Sequence, residues 1–293
     1  MEIVLHIGVH CTDDDALLRS LVKNNDALVQ QGVIIPEPAR YRKLLRETTQ
    51  AMSQGQIGTD SREVVLQKIL GDQPCKRLIL SNSNFICVPN RIFERGVLYG
   101  LADRKLAAIG NLFPNDDIKI MIGLRDPGSF IPAAFGRSTG RAFDSFLEGI
   151  QPDDLIWFDF LKRIRHAIPT ASITAWCNED TPLIWPQILR SMAGVPDNAK
   201  IWGGYDLIAS VLSPEGLEKL KDYLRKTPPK SERHRQKILV AFLERFAKDG
   251  AMDDEVGVPG WTEEIIEDLE EGYEEDVDMI TLMDDIDFIE TLI

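Results

Sequence analysis

Along this chain, short continuous apolar runs alternate with segments whose apolar residues recur at helical spacing. This alternation predicts an α/β fold. Short, nearly continuous apolar runs, typical of parallel strands covered on both faces, predict four strands. These cover residues 2–7, 77–81, 118–124 and 172–177. Helical patterns run from Leu17 to Val29 and over 38–54, 60–70, 92–113 and 153–166. Strands that alternate with long helices predict βαβ units and one doubly wound parallel sheet flanked by helices.

The last helical pattern lies in the C-terminal part of the chain. The turn Val258-Pro259-Gly260-Trp261 precedes Thr262, a residue type that caps helix N-termini, and acidic residues follow where they suit the helix dipole. Apolar residues then recur at helical spacing at Ile265, Ile266, Leu269, Tyr273, Val277, Ile280 and Met283. We expect this stripe to pack on the body while the acidic face stays solvated. A detachable partner-binding or inhibitory segment is the alternative.

The sequence therefore predicts an α/β domain over 1–248 and an acidic helical segment over 249–293 that packs on it. The clearest break inside the first part is Thr227-Pro228-Pro229-Lys230, which is predicted to join two helices.

The net charge of −14 belongs to the C-terminal segment. From Asp249 onward the chain has 18 acidic residues and no Lys or Arg, which leaves 29 acidic residues against 33 basic ones before it. A mildly basic body tolerates an anionic ligand, whereas the acidic segment would repel nucleic acid and anionic membranes. We therefore expect no nucleic-acid partner and no membrane partner.

Location and redox state follow from what the sequence lacks. No stretch approaches the roughly 20 apolar residues that span a bilayer, and Met1 to His10 has neither the basic nor the apolar region of a signal peptide. A cytoplasmic protein is expected. The four cysteines are far apart and form no C-x-x-C pair, which predicts reduced thiols rather than a zinc site or a disulfide framework.

The first predicted strand and its loop read Leu5-His6-Ile7-Gly8-Val9-His10-Cys11-Thr12. This run resembles the donor-binding loop of bacterial sulfotransferases, in which a strand ending H-I-G leads, after one residue, into H-K-T-G-T-T and a helix. The resemblance implies a P-loop sulfotransferase-like fold and transfer of a sulfuryl group from 3′-phosphoadenylyl sulfate to a hydroxyl or amine. It also implies that Gly8, His10 and Thr12 bind this donor, whose phosphosulfate is held by the loop N–H groups and the helix N-terminus.

Four positions of the loop depart from the family pattern. Cys11 replaces the Lys that would stabilise charge on the bridging oxygen, and Asp13 to Asp15 replace the Gly and the two Thr. At about 6 Å and a dielectric of roughly 20 to 80, each carboxylate would repel the donor by on the order of 0.7 to 3 kcal/mol. Two or three such repulsions outweigh a helix-dipole gain of about 0.3 to 1 kcal/mol. Unless these acids turn away or bind a cation, we expect donor affinity to fall by orders of magnitude.

The three aspartates have two other interpretations. They are suited to cap the following helix, because Asp is favoured at helix N-termini. Alternatively, His10 with Asp13, Asp14 or Asp15 would form a Mg²⁺ or Ca²⁺ site, although no ligand spacing here is diagnostic.

A second family element is the run Met121-Ile122-Gly123-Leu124-Arg125-Asp126-Pro127. It resembles an R-x-P segment that supplies an Arg and, eight residues later, a Ser for the donor's 3′-phosphate. Arg125 matches the Arg, but Ala133 occupies the Ser position. Arg137 and Arg141 follow on the same segment and could meet an anion. A structural ion-pair partner is the alternative role for Arg125.

The third element is Leu78-Ile79-Leu80-Ser81-Asn82-Ser83. It is similar to a family strand ending L-L-S-S-E, whose Glu would deprotonate the acceptor. Ser83 stands at that position, and a serine hydroxyl is not a general base near neutral pH. The alternative is that Ser and Asn cap the strand end and the following turn.

These departures predict a sulfotransferase-like protein with a degenerate donor loop that is non-catalytic and binds an altered small anion or a protein partner. The alternative is an active sulfotransferase, with 3′-phosphoadenylyl sulfate as cofactor, in which Arg125, Arg137 or a distant Lys replaces the missing cation.

Overall fold

A computed structural model describes residues 1–55, 58, 60–248, 250, 258 and 260–293. The predicted boundary at residue 249 and the predicted turn residue Pro259 lie outside this part of the chain.

Six parallel strands form one sheet in the order β2-β3-β1-β4-β5-β6. Their bounds are β1 (Glu2–His6), β2 (Val33–Ile34), β3 (Arg77–Ser81), β4 (Asp117–Leu124), β5 (Ser172–Cys177) and β6 (Ile286–Phe288). In the register, Leu5 lies beside Leu80 on one side and Ile120 on the other. The α/β class and the parallel sheet predicted from the apolar runs are confirmed.

Helices flank the sheet in the described part of the chain. Their bounds are α1 (Ala16–Val22), α2 (Asn25–Gln30), α3 (Pro38–Ser53), α4 (Ser61–Leu70), α5 (Ala102–Leu112), α6 (Pro127–Arg137), α7 (Phe143–Leu147), α8 (Trp157–Ala167), α9 (Thr181–Ala193), α10 (Asp206–Val211), α11 (Pro214–Lys226), α12 (Glu232–Phe246) and α13 (Glu263–Thr281). The Thr227 to Lys230 segment does join two helices, α11 and α12. None of these helices is long and apolar enough to cross a bilayer.

Both faces of the sheet are covered, as the continuous apolar strands require. Ile3 and Leu5 pack into a core that includes α3, α4, α5 and α8. Val4 points to the opposite face and packs with residues of α1, α2 and α9. Successive strand residues therefore alternate between two buried layers.

The strand order places a crevice at the carboxyl end of β1. The chain leaves β1 toward β2 and β3 on one side and later reaches β4 on the other side. Ligands of open α/β sheets bind at such a reversal, outside the carboxyl ends of the strands. Three segments meet there: the loop after β1, the turn after β3 and the start of α6 after β4.

The first predicted helix is wrong as a single element, because it divides into α1 and α2. Asn24 lies at the break, where its side-chain amide donates to the Trp202 carbonyl (2.9 Å) and its side-chain oxygen accepts from the Trp202 N–H (2.7 Å). These contacts redirect the chain although the apolar spacing continues.

The helix predicted over 92–113 begins only at Ala102. Residues 92–101 form turns in which Arg95, Gly96 and Tyr99 have positive φ, a backbone conformation incompatible with a helix. Likewise, the helix predicted from residue 153 begins at Trp157 after a single 3₁₀ turn, Pro152–Asp154. The short strands β2 and β6 were not predicted, since two or three residues carry no clear period.

The C-terminal helix α13 begins as predicted, with the Thr262 hydroxyl accepting from the Ile265 N–H at 3.3 Å. Leu269, Tyr273 and Ile280 are buried, and the helix contacts α6 and α8. Its buried Asp276 carboxylate accepts from the first two backbone N–H groups of α8, at 2.6 and 3.1 Å. After α13 the chain adds β6 to the sheet beside β5. The division of the chain into two parts stays a prediction.

Candidate functional site

A cavity of about 430 Å³ opens at the carboxyl ends of β1 and β3. Most of its wall comes from the loop after β1, and the rest from α3, the turn after β3, a 3₁₀ turn at Pro89–Arg91 and the end of α6. The lining residues are Val9, His10, Cys11, Thr12, Asp13, Asp14, Asp15, Arg42, Ser83, Asn84, Pro89 and Arg137. The structure therefore brings most of the residues singled out in the sequence to one place.

The backbone of the loop is fixed against its neighbours before it reaches the cavity. The Gly8 carbonyl accepts from Gly123 N–H at 2.8 Å, and the Val9 N–H donates to the Gly123 carbonyl at 3.0 Å. Gly8 has φ of 104°, and a Cβ there would lie 3.4 Å from the Ser83 Cα. This positive φ favours glycine, and a Cβ would also lie only 3.2 Å from the His10 backbone nitrogen.

His10 is held by bonds within the protein. It is 4% exposed, and its backbone N–H donates to the Tyr99 hydroxyl at 3.1 Å. That hydroxyl lies 2.8 Å from Nδ1, and Asn84 Oδ1 lies 3.2 Å from Nε2. A neutral ring with its proton on Nε2 satisfies all three contacts. Burial lowers the pKa of His10, which favours this neutral form.

The side chains of Thr12 and Asp13 form hydrogen bonds with backbone groups of the loop and of α1. The Thr12 hydroxyl donates to the Val9 carbonyl at 2.9 Å, and Asp13 Oδ2 accepts from the Leu17 N–H at 3.0 Å. Asp13 thus binds an N–H of the first turn of α1. Asp15, at the N-cap position, makes no such side-chain bond. Of the three aspartates, only Asp13 behaves as the capping interpretation predicts.

Asp14 and Asp15 instead form ion pairs across the mouth of the loop. Asp14 Oδ2 lies 2.5 Å from Arg137 Nη2, at the end of α6. Asp15 accepts from two nitrogens of Arg42, on α3, at 2.5 and 3.1 Å. The hydrogen bond to Asp14 is the main reason why the pKa of Arg137 is raised. The loop is held between two cationic side chains.

Sequence reasoning missed Arg42. Besides Asp15, its guanidinium donates to the Ser81 carbonyl at the end of β3, from Nε at 3.1 Å and from Nη2 at 2.9 Å. This arginine therefore ties the loop to the sheet. It lies in a polar stretch of a long helix, and no local pattern marks it as the residue that faces the loop.

Arg125 lies beneath the loop rather than in the cavity wall. It is 6% exposed, its Nη1 donates to the Cys11 carbonyl, and its Nε donates to the Ser129 hydroxyl at 3.0 Å. Ser129 is four residues further on, whereas Ala133 is not among the lining residues. In this arrangement the guanidinium supports the backbone at Cys11.

Arg141 also lies outside the cavity lining. Its Nη1 is 2.8 Å from Glu148 Oε1, beyond the end of α6. Ser83, in contrast, does line the cavity and lies beside Asn84. The turn after β3 thus presents a hydroxyl and an amide to the loop.

The charges of the cavity are mixed. Three aspartates and two arginines line it, which leaves a formal charge of −1 when His10 is neutral. Both arginines are engaged by aspartates. An anion that binds either guanidinium therefore lies close to a carboxylate that already pairs with it.

The described residues do not support the metal interpretation. Within them, no group of three or more His, Cys, Asp and Glu is placed to hold a metal ion. Asp13 binds the N–H of Leu17, while Asp14 and Asp15 face arginines. Both ring nitrogens of His10 have protein partners.

Known proteins give no independent assignment of this site. A comparison of the sequence with models of known protein families finds no match, and a comparison with curated proteins finds none either. The likeness to bacterial sulfotransferases therefore rests on the loop, the strand ending in Arg125 and the strand ending near Ser83.

Proposed function

We propose that this chain is a sulfotransferase-like protein that no longer uses 3′-phosphoadenylyl sulfate and works by binding an altered small ligand or a protein partner in its loop cavity. The observation that carries the proposal is the pairing of both cavity arginines with Asp14 and Asp15. A donor phosphosulfate that binds either guanidinium would lie beside an aspartate that already pairs with it, and that carboxylate opposes binding.

The electrostatic balance supports loss of the donor. At about 6 Å and a dielectric of roughly 20 to 80, an incoming anion is repelled by each carboxylate by about 0.7 to 3 kcal/mol. Taking an arginine from its aspartate would also give up an ion pair worth about 0.2 to 1 kcal/mol at such exposure. The hydrogen bonds of the loop offset little of this, because Thr12 and His10 already bond within the protein.

The position of the cavity supports a binding role rather than an idle remnant. It lies at the carboxyl end of β1, where the strand order reverses and where ligands of α/β sheets bind. Its walls are fixed by Arg42, Arg125 and Tyr99, each from a different segment. A preorganised wall of this kind lowers the entropy cost of holding a ligand.

Isothermal titration with 3′-phosphoadenosine 5′-phosphate tests the proposal. We expect no heat of binding with ligand at about 1 mM. This result would mean a dissociation constant above about 1 mM, or a binding free energy less favourable than about −4 kcal/mol. Micromolar binding to the folded protein would contradict it.

An active sulfotransferase is the second candidate, and the presence of Arg42 and Arg137 at the cavity favours it. In that case Arg137 would leave Asp14 and stabilise the leaving group in place of the missing Lys. Transfer of the sulfuryl group from 3′-phosphoadenylyl sulfate to any member of a panel of hydroxyl and amine acceptors, measured by chromatography as release of 3′-phosphoadenosine 5′-phosphate and lost in Arg137→Gln, would establish this activity. No conversion above the rate without protein would reject it.

A further inference from the structure

The two ion pairs of the cavity offer accessible charge of both signs. The Asp14 and Arg137 side chains are 58% and 50% exposed, and those of Asp15 and Arg42 are 40% and 29% exposed. A ligand in the cavity can therefore reach a carboxylate and a guanidinium within one pair.

A ligand with one sign of charge is poorly matched to such a pair. An anion that binds Arg137 leaves Asp14 close by without a counter-charge, and a cation that binds Asp14 leaves Arg137 in the same situation. A zwitterion avoids both outcomes, because its carboxylate pairs with the guanidinium while its ammonium pairs with the aspartate. Arg recognises carboxylates well, since its planar fork can donate two parallel hydrogen bonds.

The rest of the cavity suits a small polar molecule. Ser83 and Asn84 line the wall beside the loop and carry neutral donors and acceptors. The volume of about 430 Å³ lies inside the range of about 300 to 1,000 Å³ that is usual for small-molecule sites.

We propose that the cavity binds a zwitterionic small molecule of the α-amino acid class, with its carboxylate on Arg137 and its ammonium on Asp14. This inference rests on the proposed function, because it requires that the nucleotide donor does not occupy the loop. It narrows the altered ligand to one that carries both charges.

The probes are the twenty standard amino acids, screened for a rise in melting temperature and then titrated calorimetrically. The amino acid with the largest rise is compared with its N-acetyl derivative, which lacks the cation, and with its methyl ester, which lacks the anion. We expect each derivative to bind at least about tenfold more weakly, as the loss of one charged contact predicts. If no amino acid binds, or if the N-acetyl derivative binds as well as its parent, the inference is wrong.

Matched variants locate the site. Asp14→Asn keeps a residue that tolerates the observed φ of 47°, and Arg137→Gln keeps length and polarity. Both are expected to lower the affinity for the amino acid about tenfold or more. Arg225→Gln is the control, because Arg225 forms an exposed pair with Asp222 on α11, and neither residue lines the cavity. Equal affinity in all three variants would overturn the inference.

A titration with 3′-phosphoadenosine 5′-phosphate on the same sample separates the two claims. Amino-acid binding without nucleotide binding supports both. If neither ligand binds, the zwitterion inference is rejected and the proposed function stands. Micromolar binding of the nucleotide rejects the proposed function itself.

Discussion

Replacement of Tyr99 by Phe tests how the loop is held in place. The Tyr99 hydroxyl accepts from the His10 N–H at 3.1 Å and lies 2.8 Å from His10 Nδ1. Tyr99 and His10 are 2% and 4% exposed, so that water does not readily replace the lost oxygen. The Phe ring keeps the stacking on His10 and Phe160, at centroid distances of 5.7 and 5.1 Å. The substitution therefore isolates the hydroxyl.

The expected cost follows from the two groups left without a partner. Each buried polar group that loses its hydrogen bond costs about 1 to 3 kcal/mol, and relaxation of the loop recovers a part. We expect the free energy of unfolding of Tyr99→Phe to fall by about 2 to 4 kcal/mol in urea titrations, with an unchanged dependence on denaturant concentration.

Tyr223→Phe is the matched control, because Tyr223 is 40% exposed and its ring packs against Phe242. Its unfolding free energy should stay within about 0.5 kcal/mol of the wild type. A loss of less than about 0.5 kcal/mol in Tyr99→Phe as well would refute the view that this hydroxyl anchors the loop.

Two other predictions concern stability. Burial is the main cause that lowers the pKa values of His6 and His10 from 6.5, so the unfolded chain binds more protons below about pH 6.5. Stability present above pH 6.5 should therefore fall between pH 6.5 and 5.5 by up to about 2 kcal/mol, and urea titrations showing equal or greater stability at pH 5.5 would contradict this. Asp276→Ala removes the carboxylate that accepts from two N–H groups at the start of α8 and should cost about 1 to 3 kcal/mol. Asp278→Ala is the control, because Asp278 is exposed on the same helix. Equal losses of unfolding free energy in the two variants would show that the bonds from Asp276 to the start of α8 do not stabilise the protein.

The fold was accessible from the sequence where the apolar signal is long. Four continuous runs correspond to β1, β3, β4 and β5, because strands buried on both faces must be apolar throughout. Errors occurred where tertiary contacts override spacing. The bond between Asn24 and the Trp202 backbone divides the first helix, and the turns before Ala102 shorten another. Neither the bond nor the turns can be recognised from the local spacing of apolar residues.

The site was accessible only in part. A loop that joins a strand to a helix marks its own location, so Cys11 to Asp15 and Ser83 were found as lining candidates. The net charge of the cavity could not be predicted, since it depends on which distant arginines face the loop. Arg42 and Arg137 are separated by 95 positions along the chain and meet two adjacent aspartates. The sequence predicted repulsion from the aspartates but not the ion pairs that hold them.

The affinity for 3′-phosphoadenosine 5′-phosphate of the wild type and of the double variant Asp14→Asn, Asp15→Asn tests the central claim most directly. Asparagine tolerates the positive φ of both positions and leaves Arg137 and Arg42 free of carboxylates. Removing two repulsions of about 0.7 to 3 kcal/mol each should raise affinity by about tenfold to 10⁴-fold, from no detectable binding in the wild type. Equal affinities in the two proteins, or tight binding to the wild type, would contradict the account.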